Sequence, residues 1–200
     1  MPEPIFPPQE PPMRPPNRVR WTREQCASLH DARILIGRYE LMNGDILSKG
    51  GQTPAHAYVI RMLMTHLVTI FGGNRIQCQL PIHIPGSNSE YSEPEPDCAV
   101  LARPFGEFVD HHPSSLDLHL VVEVSDSSLN FDLKSKALLY ANAGIIEYWI
   151  INLISRRLLV LRKPDSTGYA SIIAYSETEL CAPLASPSNS VLVADLLPPR

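Results

Sequence analysis

Apolar and polar positions alternate along the chain in a way that sets out most of its elements. Thr22-Arg23-Glu24-Gln25 has the form of a capping box and predicts a short helix to about Asp31. Two strand-like runs between Arg38 and Lys49 flank Asn43-Gly44, a dipeptide that favours a type I′ hairpin turn. Gly50-Gly51 breaks the pattern. Thr53-Pro54 then supplies an N-cap followed by proline at the first helical position. Ile60, Leu63, Leu67 and Ile70 or Phe71 fall on one face of a helix from about Pro54 to Phe71, closed by Gly72-Gly73. Alternating Ile76, Cys78, Leu80, Ile82 and Ile84 predict a strand over Asn74 to Ile84. A polar, proline-containing loop runs from Pro85 to Pro96, and Asp97 opens the next strand, Cys98 to Leu101. Arg103 to Ser115 is irregular.

The run Leu118 to Val124 reads as a buried strand, because it is short and mostly aliphatic or β-branched. A period of two puts Leu118, Leu120, Val122 and Val124 on one face and His119, Val121, Glu123 and Ser125 on the other. Glu123 is the anomaly. A desolvated, unpaired carboxylate costs on the order of several kcal/mol. Either a metal, a cation or a wet cleft compensates it, or the second face simply meets water. Asn130 is a plausible N-cap for a helix from Phe131 to about Asn142, with Gly144 just past its end. Strands follow at Glu147–Asn152, Arg157–Arg162 and Tyr169–Ala174. The C-terminal segment is proline- and serine-rich, with an apolar patch at Val191 to Leu197.

Strands ahead of the Phe131–Asn142 helix form a mostly antiparallel meander on this reading. The helix then crosses over to the Glu147 strand, which makes that pair parallel and right-handed. The fold class is mixed α/β (α+β), with a mostly antiparallel mixed sheet flanked by helices.

Composition narrows this picture without redirecting it. Two hundred residues suit one domain, and 44% hydrophobic with 19% charged residues is a globular balance. Residues 1–18 hold eight prolines and read as an extended or disordered tail, leaving 19–200 as the domain. A net charge of −4 gives no global attraction to nucleic acid, so any such contact is a local patch. Cys26, Cys78, Cys98 and Cys181 form no CxxC pair, which argues against a zinc site or disulfide framework and for a cytoplasmic location. No apolar run reaches membrane-spanning length.

Asp97 and Glu123 stand at the ends of strands that can be neighbours, where two carboxylates can share Mg²⁺ or Mn²⁺. Phosphodiester hydrolysis needs such a metal, an attacking water and a cation near the transition-state charge. Lys136 is the candidate cation. Asp132, Lys136 and Tyr140 are spaced i, i+4, i+8 on one helix face. The plainer account of Asp132 and Lys136 is a surface pair worth a few tenths of a kcal/mol.

Three strings then stand in order: Ser92-Glu93-Pro94-Glu95-Pro96-Asp97, Leu120-Val121-Val122-Glu123-Val124-Ser125, and Asp132-x-x-x-Lys136-x-x-x-Tyr140-Ala141-x-x-Gly144-Ile145-x-Glu147-Tyr148-Trp149-Ile150. Together they resemble the Uma-two family of restriction-endonuclease-like proteins, placed in the PD-(D/E)XK nuclease superfamily. Tyr39-Glu40-Leu41-x-x-Gly44 and His56 also fit its pattern, and the resemblance spans about Trp21 to Leu197. It implies a restriction-endonuclease-like core, a metal site at Asp97 and Glu123, and DNA as substrate. The superfamily's lysine two residues after the glutamate is here Ser125. The family's usual answer is a lysine moved to the following helix, which matches Lys136.

Other candidates carry two readings each. Glu40 either approaches the metal from the hairpin or is an exposed strand glutamate. His56 either faces the site or packs at a helix start. Tyr140, Tyr148 and Trp149 read as core. Asp110-His111-His112 reads as a solvated loop rather than a metal cluster, and Arg156-Arg157 and Arg162-Lys163 as polar strand ends rather than phosphate contacts. The functional expectation is a Mg²⁺-dependent DNA endonuclease using Asp97, Glu123 and Lys136. The alternative is a non-catalytic binding or assembly module that keeps the nuclease fold, with Glu123 and Lys136 as a buried ion pair. A homodimer through Arg157–Ala174 is compatible with either.

Overall fold

A computed structural model describes residues 19–86 and 89–200; the proline-rich stretch 1–18 lies outside them. The first helix, α1 (Arg23–Asp31), starts at the expected capping box: Thr22 accepts from the Gln25 N–H and the Gln25 side chain accepts from the Thr22 N–H. Strands β1 (Tyr39–Met42) and β2 (Asp45–Ser48) form the hairpin. Both its turn residues are left-handed, Asn43 at φ +52° and Gly44 at φ +88°, as a type I′ turn requires. A Cβ on Gly44 would lie 2.6 Å from the Arg20 Cβ, so glycine is needed there for space as well as for φ.

Helix α2 (Pro54–Phe71) has the predicted bounds, with the Thr53 hydroxyl capping the His56 N–H. The strand expected over Asn74 to Ile84 is largely absent. Only β3 (Ile76–Gln77) forms a strand there, paired with β4 (Cys98–Leu101), and His83 makes an isolated bridge to Ser114. Gln79 takes φ +54°, and Pro81 has no N–H to donate, so the ladder ends although the alternation continues.

β5 (Leu118–Ser125) lies between β4, antiparallel, and β6 (Glu147–Asn152), parallel. The crossover between β5 and β6 is helical but not one regular helix. It comprises α3 (Leu129–Phe131), a π-helical turn (Asp132–Lys136) and α4 (Ala137–Asn142). Its N-cap position is Ser128, not Asn130. β7 (Arg157–Asp165) and β8 (Gly168–Tyr175) complete a six-stranded sheet of order β3-β4-β5-β6-β7-β8, mostly antiparallel and flanked by helices. β9 (Leu180–Cys181), β10 (Val191–Leu192) and α5 (Val193–Leu196) turn the C-terminal apolar patch back onto α2.

Period-two alternation divides the core into two layers. Val100, Leu120, Val122, Trp149 and Ile151 face Val59, Leu63 and Leu67 of α2. Ala99, Val121, Tyr148 and Ile150 face Ala137, Tyr140 and Ala141 on the other side. Leu118 joins this second layer, where the β4–β5 register shifts between Val100 and Leu101. Fully burying one such Val, Leu or Ile contributes about 1.5–3 kcal/mol. β5 is therefore covered on both faces, and of the two readings of the Glu123 face the one in which it meets water is excluded: only His119 is less than fully buried. Among the described residues no helix is long and apolar enough to cross a membrane.

Candidate active site

A cleft of about 390 Å³ opens where the hairpin, the start of α2, the end of β5 and the π-helical turn converge. Asp97, Glu123, Lys136, Glu40 and His56 all line it. Ser125 and Tyr140 stand behind its wall. The core layers explain the convergence. Glu123 shares the face of Val121, so it points toward the crossover helix and not toward α2. Asp97 immediately precedes β4, whose Cys98 pairs with Val122 of β5.

Lys136 is 4% exposed and bridges two carboxylates, with Nζ 2.8 Å from Glu123 Oε1 and 3.1 Å from Glu40 Oε2. Tyr140 donates its hydroxyl to the same Glu123 Oε1 at 2.8 Å. No described residue donates to Glu123 Oε2. The sequence-based demand for compensation at Glu123 is thus met by a cation and a phenol. Burial drives the Glu123 carboxyl upward, to about 8, against the opposing pull of Lys136. Burial works to lower the Lys136 ammonium, but Glu123 and Glu40 outweigh it and the net direction is up. These two shifts compete for one proton. The direction that geometry supports is a charged Lys136, because it has two acidic partners and Glu123 has one basic one.

Asp97 has different neighbours. Its Oδ2 accepts the Val124 N–H at 2.8 Å, and its Oδ1 lies 3.1 Å from His56 Nε2. That ring nitrogen is buried and makes no well-aligned hydrogen bond. Burial acts to raise the Asp97 carboxyl, yet His56, the Val124 N–H and the Lys49 charge together hold it below the ordinary aspartate value.

The plainer account of Asp132 and Lys136, a surface pair, does not hold. Both residues are buried, Asp132 accepts from Ser128 at 2.6 Å, and burial raises its carboxyl. Both residues lie in the π-helical turn and line the cleft, and such turns recur at functional sites. Ser125, in the lysine position, is fully buried, with its hydroxyl 3.5 Å from that of Ser128. Glu40 is buried and paired, so the exposed-strand reading is corrected. Asp110, His111 and His112 are exposed. Arg156 and Arg162 are engaged within the fold, with Glu177 and Glu147 respectively. Glu147 is a buried acid outside the cleft, held by Arg162 and the Trp149 indole N–H.

Arg38, Lys49 and Asp126 also line the cleft and were missed in the sequence. A signal existed for the first two. The Asn43-Gly44 turn fixes a register with Tyr39 opposite Ser48, which sets Arg38 against Lys49 at the open end of the hairpin.

Oxygen donors of this kind suit a hard divalent cation, which binds through one or two carboxylates with water and substrate phosphate completing its shell. Among the described residues no group of three or more His, Cys, Asp or Glu is arranged to hold a metal ion.

The family model described as "Uma2: Putative restriction endonuclease" matches residues 32–192. The chain belongs to the Uma2 family. Its nuclease-like character is supported at that level, and divalent metals are general among restriction-endonuclease-like proteins. A crystal structure of a putative nuclease belonging to DUF820 from Anabaena variabilis ATCC 29413 aligns with a TM-score of 0.60 at 13% identity. The alignment covers 84% of this chain and 96% of that one, and at this identity the likeness is one of fold. No curated protein matches the chain.

Proposed function

We propose that this Uma2 protein is a metal-dependent DNA endonuclease whose centre is the Asp97–Glu123–Lys136 cleft. The observation that carries the reading is the convergence of two strand-end carboxylates and one buried ammonium on a single cleft. Asp97 and Glu123 would hold Mg²⁺ or Mn²⁺, which would supply Lewis-acid polarisation of a phosphoryl oxygen and a more acidic bound water. The chain's own groups do the rest. Lys136 places a fixed positive charge beside the developing phosphorane oxygens, where a water-poor site strengthens it. Tyr140 and Lys136 pin Glu123 through one oxygen and leave the other for a ligand. His56 and the Val124 N–H keep Asp97 ionised and oriented.

Self-association through β8 would supply a second centre for the opposite DNA strand. β8 is the last strand of the sheet, and its Ile172 and Ile173 are 54% and 46% exposed. Light scattering on the full chain tests it.

A second reading has its own observation. Lys136 already neutralises Glu123 and Glu40 within the fold, as in a binding module that has kept the architecture. Plasmid cleavage with Mg²⁺ or Mn²⁺ separates the two. Wild type cutting, with Asp97→Asn and Glu123→Gln silent, is the expected result. Equal cutting by all three removes these carboxylates from the chemistry, and no cutting by any favours the binding module.

A further inference from the structure

Outside the acidic centre, the same cleft carries a second pair of cations. Arg38 precedes β1 and Lys49 follows β2, and the Lys49 N–H donates to the Arg38 carbonyl at 2.9 Å, closing the hairpin's open end. Both side chains reach Glu95, and Arg38 also donates to the Gln79 side chain and carbonyl at 3.4 and 3.5 Å. Arg38 Nη2 lies 2.8 Å from Glu95 Oε2; Lys49 Nζ lies 3.9 Å from that oxygen and donates to the Glu95 carbonyl at 2.5 Å. Arg38 and Lys49 line the cleft with Asp97 and Glu123, whereas Glu95 does not. Arg38 remains 46% exposed.

Lys49 leads into Gly50-Gly51. Neither glycine has a left-handed φ, and a Cβ at either would meet nothing within 4 Å. Local packing and backbone conformation thus make no demand for glycine here. What the missing side chains leave is open space beside two cations.

A guanidinium and an ammonium closing on one anion is a phosphate-binding arrangement, and Arg is well suited to the tetrahedral oxyanion because of its planar fork. With a net charge of −4, attraction to a nucleic acid has to come from such a local pair. We infer that Arg38 and Lys49 form a subsite for a backbone phosphate flanking the scissile one, and that the Glu95 carboxylate occupies these cations until substrate arrives. The inference rests on the phosphodiesterase reading for the identity of the anion. Arg38 is well exposed, so its pair with Glu95 is screened by salt and readily exchanged. A strand entering the cleft exchanges one carboxylate for one phosphate at Arg38 and Lys49. Glu95, released, stays anchored by its backbone.

Binding is measured without metal, in EDTA, so that it is read apart from cleavage. A labelled short DNA duplex is titrated with the full chain by fluorescence anisotropy at several salt concentrations. Arg38→Ala and Lys49→Ala each weaken binding and each lower the slope of log K against log salt by roughly 1. Glu95→Gln, which keeps the Lys49 bond to the backbone carbonyl, tightens binding by up to about fivefold. The same losses appear on single-stranded RNA, because the contact is to phosphate and not to base or sugar. Thermal melts of the variants confirm that each is folded.

Unchanged affinity and slope in both Arg38→Ala and Lys49→Ala overturn the subsite, as does failure of every protein to bind. Unchanged or weaker binding by Glu95→Gln overturns the role given to Glu95. The outcomes separate from those of the parent reading. Cleavage by wild type with unaltered binding in the Arg38 and Lys49 variants sinks only this inference. The predicted binding pattern without cleavage in any metal sinks only the hydrolase.

Discussion

Replacing Lys136 by methionine keeps most of the side-chain volume and removes only the charge that joins Glu123 to Glu40. The two carboxylates are 4% and 7% exposed, and they lie 2.8 and 3.1 Å from the ammonium. Where both carboxylates are ionised, removing their shared cation costs about 3–5 kcal/mol, because the remaining charge is left in a poorly solvating interior. That is a large share of a typical domain's stability.

The sign of the pH dependence follows from the shifts. Glu123 has its carboxyl raised from 4.5 to about 8 by burial, opposed by Lys136. Without Lys136 the folded-state value rises further. A group raised in the folded state contributes stability that is present below its unfolded value and lost as pH rises through its folded value. Wild type has lost this contribution by about pH 8, whereas the variant goes on losing it above that, at up to about 1.4 kcal/mol per pH unit. Lys136 itself is raised above 10.5, so its favourable term in wild type persists over the same window. The gap between the two proteins therefore widens from about pH 7 to about pH 9.5. Urea unfolding followed by the fluorescence of buried Trp149 measures it. A gap below about 1 kcal/mol at the upper pH, or one that closes as pH rises, refutes the account of Lys136 as the ion that holds these acids.

Two further consequences concern its neighbours. Tyr140→Phe deletes the hydroxyl that donates to Glu123 Oε1 at 2.8 Å and leaves the ring packed edge-on against Tyr148, so the expected loss is about 1–3 kcal/mol in urea unfolding; no loss would mean that the phenol is dispensable to the carboxylate. His56→Ala removes the group 3.1 Å from Asp97, whose carboxyl is held below 3.8 despite its burial. Stabilisation from a depressed acid is present above 3.8 and lost as pH falls through the folded value, so in His56→Ala the acid-unfolding midpoint, read by circular dichroism, moves to higher pH; an unmoved midpoint would show that the Val124 N–H and the Lys49 charge suffice to hold Asp97.

Local chemistry decides a good deal of this molecule before it folds. The capping box at Thr22, the Asn43-Gly44 turn and the Thr53-Pro54 start depend on residues within a few positions of each other, and each appears in the structure as the pattern requires. The alternation in β5 likewise told which face Glu123 shares, since side-chain direction in a strand is fixed by parity alone. Where the local signal was ambiguous, long-range partners decided. The apolar alternation from Ile76 to Ile84 persists, but a left-handed Gln79 and a proline leave only Ile76 and Gln77 in the ladder. The i, i+4 spacing of Asp132 and Lys136 marked one helix face truly, yet spacing carries no information on whether that face meets water or protein. Lys136 meets the hairpin through Glu40, and the hairpin also brings Arg38 and Lys49 to the cleft from far along the chain. Asp97 and Glu123 could be named from sequence because an acid beside an apolar strand is costly wherever it sits. Which counter-charge relieves each of them, Lys136 for one and His56 for the other, is a matter of distance through space, and only the packed structure sets that.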